Sequence, residues 1–188
     1  MPQYRIDPPP DNLRDLIEYK DGAIYWTKEA KAEYKSRKDG PLGTLDHNGY
    51  LYTSFRAGDD NKRRRYFIHR LIYWLKTDEW PEVVDHKDRK RLNNDFDNLR
   101  ASTVSQNMRN RSNLTGSKSD FVGVHPTKKN DYRVSVRISG KQYFISGYKD
   151  EKTAALARDI LAHMFYGEFA NLNYLGKKKI RIGGQLIA

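Results

Sequence analysis

The stretch from Val83 to Asn107 limits the fold more than any other part of this chain. Two valines run into Asp85-His86, which reads as the end of a buried strand. Leu99-Arg100-Ala101 can return beside it as a second strand, and the twelve-residue step from His86 to Asn98 is then the connecting loop. Thr103 followed three residues later by Gln106 is a capping-box pattern, which predicts a helix from Val104 with Asn107 in its first turns. The expected unit is strand, loop, strand, helix.

The flanks read differently on the two sides. Residues 2–10, with prolines at 2, 8, 9 and 10, predict an extended arm, and Leu13, Leu16 and Ile17 at helical spacing predict a short helix. Short alternating runs follow at 24–26, 42–47, 50–55 and 65–68 and predict strands. Asn48-Gly49 is read as a type I′ hairpin turn and Gly58-Asp59-Asp60-Asn61 as the next reversal, so an antiparallel meander is expected over about 23–70. His69 to Leu75 predicts a helix with Leu71, Trp74 and Leu75 on one face.

Beyond Asn107 the composition turns to Asn, Ser, Arg and Gly, which is linker chemistry. The expected organisation is a first domain over 1–112, a linker at 113–120, a second domain over 121–175 and an unstructured basic tail over 176–188 carrying Lys177-Lys178-Lys179. Runs at 121–125, 132–138 and 142–146 predict three strands, and 151–166 predicts a helix with Asp150 as its N-cap. That helix is expected to present Ala154, Ala157, Leu161, Met164 and Phe165 as its apolar face. On the middle strand, alternation turns Val134, Val136 and Ile138 toward the helix and Arg133, Ser135 and Arg137 outward.

Charge then narrows the function classes. Thirty-five Lys and Arg against 24 Asp and Glu give a formal charge of +11, as expected of a protein that condenses onto a polyanion. No apolar run approaches the roughly 20 residues that span a bilayer, and the residues after Met1 carry no signal-peptide core, so the cytoplasm is the expected compartment. Without cysteine there is no disulfide or thiolate zinc site, and a metal would need oxygen or imidazole ligands. Asn113-Leu114-Thr115 matches a glycosylation sequon and is read as accidental.

Double-stranded DNA is accordingly the expected partner. In the central unit Asp85 and Asn107 can supply two oxygen ligands to Mg²⁺ or Mn²⁺, which completes its shell with water and phosphate oxygens. His86 points to the other side of the strand, where a neutral imidazole can take a proton from water near pH 7. Asn98 is expected to fix the loop through backbone bonds.

Asp85-His86, Asn98-Leu99-Arg100 and Gln106-Asn107, preceded by His69-Arg70-Leu71, resemble the HNH homing endonucleases of phages. The resemblance implies the ββα-metal fold, Asp85 and Asn107 as metal ligands, His86 as general base, Asn98 as the loop-shaping residue, and products ending in 5′-phosphate and 3′-hydroxyl. Asn93 and Asp95 depart from the usual Asp-Asn-Arg-Ile-Glu-Asn-Leu-Arg pattern at positions that are not ligands. Residues 121–173 resemble the plant ethylene-response-factor type of DNA-binding domain through Gly123-Val124, Tyr132-Arg133-Val134, Gly140-Lys141, Gly147-Tyr148, Ala154-Ala155, Gly167 and Leu172-Asn173. This second resemblance implies a three-stranded sheet laid in the major groove, with Tyr132 standing where Trp is usual and His125 where Arg is usual.

The expected fold class is therefore α+β: an antiparallel meander leading into a ββα-metal unit, then a small three-stranded sheet with one covering helix. The expected function is site-specific, metal-dependent DNA cleavage, with a monomer nicking one strand because the chain carries one catalytic unit. A non-catalytic DNA-binding regulator would be expected to lack a ligand or the base, whereas Asp85, His86 and Asn107 are all present. A nonspecific nuclease would have little use for a separate groove-reading domain. Expected DNA contacts are Arg63, Arg64, Arg65, Arg100, Arg109, Arg133, Ser135, Arg137 and Lys141. Arg100 can equally pair with Asp97, Lys62 to Arg65 can equally be a solvated hairpin edge, and His69 is as readily a structural residue as a site residue.

Overall fold

A computed structural model describes residues 7–33, 39–57, 62–111, 116–175, 180–182 and 185–187. The fold is α+β with antiparallel strand pairing throughout the described residues. The chain divides into two compact units, Met1–Val104 and Ser105–Ala188.

In the first unit α1 (Leu13–Leu16) leads into the hairpin β1 (Ile17–Lys20) and β2 (Ala23–Trp26), so Ile17 starts a strand instead of extending the helix. A helix not anticipated from the sequence, α2 (Lys28–Glu33), follows. Its residues favour helix, and the Thr27 hydroxyl accepts from the Ala30 N–H at 3.2 Å, a local cap at the start of the helix. The expected meander is thus split. Only β3 (Thr44–Leu45), β4 (Leu51–Ala57) and β5 (Lys62–Phe67) share a sheet, in that order. The reversal expected at Gly58 to Asn61 lies outside the described residues, as do the sequon and Lys177-Lys178-Lys179.

The Asn48-Gly49 hairpin forms by a different turn from the one expected. Gly49 has φ +81°, whereas Asn48 is not among the residues with positive φ, so type I′ is excluded. Gly49 N–H donates to the Asp46 carbonyl at 3.0 Å, and the Asp46 carboxylate accepts from the N–H groups of Asn48 and Tyr50 at 2.9 and 2.8 Å. The aspartate side chain organises the reversal, leaving only the glycine in the left-handed region.

Helix α3 (Ile68–Thr77) is the centre of the first core and buries Ile68, Leu71, Ile72 and Trp74. Against it pack Ile24, Trp26, Phe55 and Tyr66, together with Val84 of β6 (Val83–His86) and Leu99 of β7 (Leu99–Ser102). β6 and β7 pair antiparallel with Asp85 opposite Arg100 and His86 opposite Leu99, so the second strand that the sequence predicts is present. A 3-10 turn at Phe96–Asn98 closes the loop between them, and α4 (Val104–Arg109) follows in the chain with Asn107 on it.

The second unit contains β8 (Val124–Pro126), β9 (Tyr132–Ile138) and β10 (Lys141–Tyr148) in the sheet order β10-β9-β8. Helix α5 (Glu151–Tyr166) starts at Asp150, whose carboxylate accepts from Thr153 N–H at 2.7 Å, as expected of the N-cap. Val124, Val134 and Val136 meet Ala154 and Ala155, small residues that let the helix lie close to the sheet. Gly123, at φ +72°, runs against this packing: a Cβ there would sit 2.9 Å from the Ser135 carbonyl oxygen.

The apolar face expected of α5 is corrected toward its C-terminal half. Met164 is 69% exposed and Phe165 45%, whereas Arg158, Asp159 and Ala162 are buried. The reason is the chain from Asn171 to Leu175, whose polar groups α5 satisfies. The Asp159 carboxylate, fully inaccessible, accepts from the N–H groups of Asn173, Tyr174 and Leu175 and from Asn173 Nδ2, and Arg158 donates to the Asn171 carbonyl. The tail expected to be unstructured contains a hairpin of β11 (Ile180–Ile182) and β12 (Gln185–Ile187).

Asp159→Leu is expected to strip these donors of their acceptor and leave Arg158 buried without its counter-charge. A cost of about 3–5 kcal/mol follows for a broken buried charge network, measured as a lower urea midpoint of the full chain; an unchanged midpoint would show that the network carries no net stability.

Candidate active site

β6 and β7 alternate their side chains between two faces. Val84 and His86 share one face with Leu99 and Ala101, and Asp85 shares the other with Arg100 and Ser102. Both Asp85 and His86 are buried, at 5% and 4% exposure.

Arg100 donates to Asp85 Oδ2 from Nε at 3.0 Å and from a terminal nitrogen at 2.8 Å. The cation expected to meet either phosphate or Asp97 is thus engaged with the carboxylate directly across the hairpin. This register neighbour was open to inspection in the sequence, since Asp85 and Arg100 face each other as soon as the two strands are paired through Leu99.

His86 is held on two sides. Its Nε2 lies 3.0 Å from Asn94 Oδ1, and its ring lies 4.8 Å from that of His69 and 6.1 Å from that of Tyr50. Tyr50 also packs on Phe67 and His69, with centroids 5.7 and 5.4 Å away. Burial lowers the proton affinity of His86, against the bond to Asn94 and the charges of Asp85 and Asp88, while Arg91 adds to the lowering. Burial, followed by the charges of His86 and Arg70, pushes His69 well below the ordinary histidine range. The environment therefore favours neutral rings. His69, Tyr50 and Asn94 were not in the expected site. His69 opens α3 and Asn94 stands in the quoted Asn93 to Arg100 stretch, but only the tertiary fold brings Tyr50 beside them.

Asn98 ties the loop together. Its Nδ2 donates to Asp88 Oδ1 at 2.9 Å and to the Asn93 carbonyl at 2.8 Å, and its Oδ1 accepts from Asp88 N–H at 3.0 Å. Asn93 Nδ2 reaches Asp88 Oδ2 at 2.8 Å. Slight burial would raise the Asp88 carboxyl, but the donors Asn93, Lys90 and Asn98 outweigh it and hold it below its usual range.

The other expected residues separate. On the β4–β5 hairpin Arg63 and Arg65 lie on the face of Tyr52 and Phe67, whereas Arg64 pairs with the buried Phe55 on the core-side face. The Arg65 guanidinium sits 3.9 Å over the Tyr52 ring. In the second unit Arg109 lies 5.0 Å over Tyr166 and Arg133 4.8 Å over Phe144. Ser135 Oγ is 3.0 Å from His125 Nε2, Arg137 Nε donates to Gln142 Oε1 at 3.3 Å, and Lys141 is exposed at the start of β10. Asn107 lies on α4, which runs into the second unit.

The donor set was tested against a divalent cation. Asp85 offers an anionic oxygen and Asn107 an amide oxygen, hard donors suited to Mg²⁺ or Mn²⁺. Among the described residues no group of three or more His, Asp or Glu side chains is placed to hold a metal. By its chemistry alone, a set of one carboxylate and one amide suits an ion that keeps most of its shell for water and phosphate, and does not suit a closed structural site. No helix among the described residues is long and apolar enough to cross a membrane.

The buried neutral histidines make stability depend on pH. Above about pH 6.5 the rings are neutral in both folded and unfolded chains; below it the unfolded chain binds protons that the folded chain refuses. Stability is therefore expected to fall as pH drops from 6.5 toward the lowered folded-state values. Urea midpoints between about pH 7.5 and 5.5 should decline in the wild type and decline less steeply in His69→Gln.

Comparison with known proteins places this geometry. Residues 66–109, from the end of β5 through α4, match the HNH endonuclease family model. Over 109 residues the chain is 36% identical to a protein of Acanthamoeba polyphaga mimivirus described as an uncharacterized HNH endonuclease, a match covering 56% of each chain. The chain thus spans about half the length of this relative. No solved structure matches. The matched segment holds Asp85, His86, Asn98 and Asn107, so the residues singled out by spacing all fall where this chain is similar to HNH endonucleases.

Proposed function

We propose that the protein is a site-specific DNA endonuclease of the HNH homing type that uses one divalent metal and nicks one strand per catalytic unit. The observation that carries this reading is the buried Asp85-His86 pair, its carboxylate and imidazole on opposite faces of β6 and the imidazole held at Nε2 by Asn94.

With Asn94 Oδ1 accepting, Nε2 carries the ring proton and Nδ1 keeps a lone pair. His86 Nδ1 then removes a proton from a water molecule, whose oxygen attacks phosphorus while the bond to the 3′ oxygen breaks. Those atoms leave a 5′-phosphate and a 3′-hydroxyl. Asp85 and Asn107 would hold Mg²⁺ or Mn²⁺, which when bound neutralises charge on the phosphate and on the departing oxygen. Asn98 and Asp88 keep the loop closed, so that Asn94 stays in reach of His86. Burial keeps the imidazole neutral and ready to accept a proton.

The choice of site belongs to the second unit in this reading. Its β9 face turns Arg133, Ser135 and Arg137 away from α5, with His125 and Phe144 paired to that face from β8 and β10. A sheet presenting cations and hydrogen-bonding groups on one face suits the major groove, and its strand order and covering helix agree with the resemblance to the ethylene-response-factor type of domain. Duplex DNA is the partner, bound by a monomer.

His86→Ala is expected to slow nicking of supercoiled plasmid about 10²- to 10⁴-fold, the contribution of a general base, while metal-free DNA binding stays within about two-fold. Full activity of that variant would exclude His86 as the base, and persistent supercoiled plasmid with the wild type in Mg²⁺ across many candidate targets would favour a binding protein without catalysis. Arg133→Ala with Arg137→Ala is expected to reduce discrimination between target and unrelated duplex by about 1–3 kcal/mol per lost base contact, measured by competition binding; undiminished discrimination would assign specificity elsewhere.

A further inference from the structure

The hairpin β4–β5 has two unlike faces. Thr53 and Phe55 pair with Tyr66 and Arg64 on the core side, where Phe55 and Tyr66 are buried. On the other face Tyr52 pairs with Phe67, Ser54 with Arg65 and Arg56 with Arg63, and Arg56, Arg63 and Arg65 are exposed. Three cations therefore share one side of a two-stranded ribbon, while the intervening Arg64 points to the other.

This side leads to the base. Phe67 touches Tyr50 and His69, and Tyr50 and His69 both touch His86. Two guanidinium groups are mounted on its tyrosines: Arg65 over Tyr52 at 3.9 Å, and Arg91, from the loop between β6 and β7, over Tyr50 at 5.0 Å. Arg91 also donates to the Asn48 carbonyl, which fixes it at both ring and backbone. Both arginines are exposed, and neither is in an ion pair with a described carboxylate. A cation held over an aromatic face gives up less freedom on gripping an anion than one waving in solvent.

We propose that Arg65 and Arg91, seated on Tyr52 and Tyr50, hold phosphates of the DNA strand beside His86, that Arg63 and Arg56 continue this line along the hairpin, and that Arg64 has no part in it. The inference rests on the nuclease reading for the role of His86, but its surface is defined by charge and register alone. Its ligand is the sugar-phosphate backbone of duplex DNA, gripped without regard to sequence.

The test uses the full chain, EDTA and a random-sequence duplex of about 30 bp, with affinity followed over about 50 to 200 mM KCl. Arg65→Ala and Arg91→Ala should each weaken binding several-fold and reduce the slope of log affinity against log salt by about 0.9, the release from one phosphate. Arg64→Ala should leave the slope unchanged, and Arg65→Lys and Arg91→Lys should retain it, which separates charge from misfolding. Equal losses for Arg64→Ala and Arg65→Ala, or an unchanged slope in both Arg65→Ala and Arg91→Ala, would overturn the proposal. Plasmid nicking by the wild type in Mg²⁺ separates the two readings: nicking with unaltered slopes leaves the nuclease standing and removes the surface, and reduced slopes without any nicking do the reverse.

Discussion

A carboxylate buried on a strand needs a cation in register with it, and for Asp85 that cation is Arg100 on the neighbouring strand. The pair fixes more than its own charge. A slip of one residue between β6 and β7 would turn one strand over against the other, taking either Val84 and His86 or Leu99 out of the core face and parting Asp85 from Arg100. Isolated, either charge would cost several kcal/mol to bury. The register that satisfies the charge is therefore also the register that places the imidazole against α3. In the nuclease reading Arg100 additionally holds the Asp85 carboxylate in one orientation through its two hydrogen bonds.

The loop that closes this hairpin is organised by amides. Asn98, Asn93 and Asp88 bond one another and the intervening backbone, and Asn94 extends the set to His86. Each such bond contributes about 1 kcal/mol net, but a closed set orients its members more tightly than any one bond does. Amides suit the task because they donate and accept without changing charge when a phosphate or a metal approaches. A second set of restraints reaches the same histidine from the opposite direction, through the rings of His69 and Tyr50. His86 is consequently held by three segments far apart in sequence, the β6–β7 loop, α3 and the β3–β4 turn that the Asp46 side chain organises.

Local patterns were the legible part of this sequence. The two strands of the β6–β7 hairpin, α3, the three-stranded sheet and α5 with its Asp150 cap all follow from periodicity and capping signals that act within a few residues. The hairpin at Asn48-Gly49 was legible as a reversal but not as a turn type, because the decisive group was the Asp46 side chain two residues earlier. Helix α2 went unread since six helix-favouring residues between strands carry a weak signal. The face of α5 was misplaced for a further reason: hydrophobicity alone ranks Met164 and Phe165 above Arg158 and Asp159, and nothing local announces that residues 171–175 will bring their N–H groups to that aspartate. The candidate site shows the same division. Asp85, His86 and Asn98 were named as candidates from spacing, whereas the contacts of Asn94, His69 and Tyr50 with His86 depend on tertiary proximity.

Apart from Arg133 and Arg137, which alternation turned outward, charge was legible mainly as a total, and the fold divides that total into two kinds. Arg70, Arg100 and Arg158 are buried or nearly so and spend their donors inside the protein, on the carbonyls of Pro81 and Glu82, on Asp85, and on Asn171 with Asp159. In a chain without cysteine such contacts replace crosslinks in tying distant segments together. Arg65, Arg91 and Arg133 are instead exposed and laid on Tyr52, Tyr50 and Phe144. An aromatic ring supports a guanidinium from one side without neutralising it, so these cations keep their full charge for a polyanion while losing part of their conformational freedom in advance. The internal set sustains the fold and the ring-mounted set remains available to a ligand, a separation that follows from what each guanidinium is given as a neighbour.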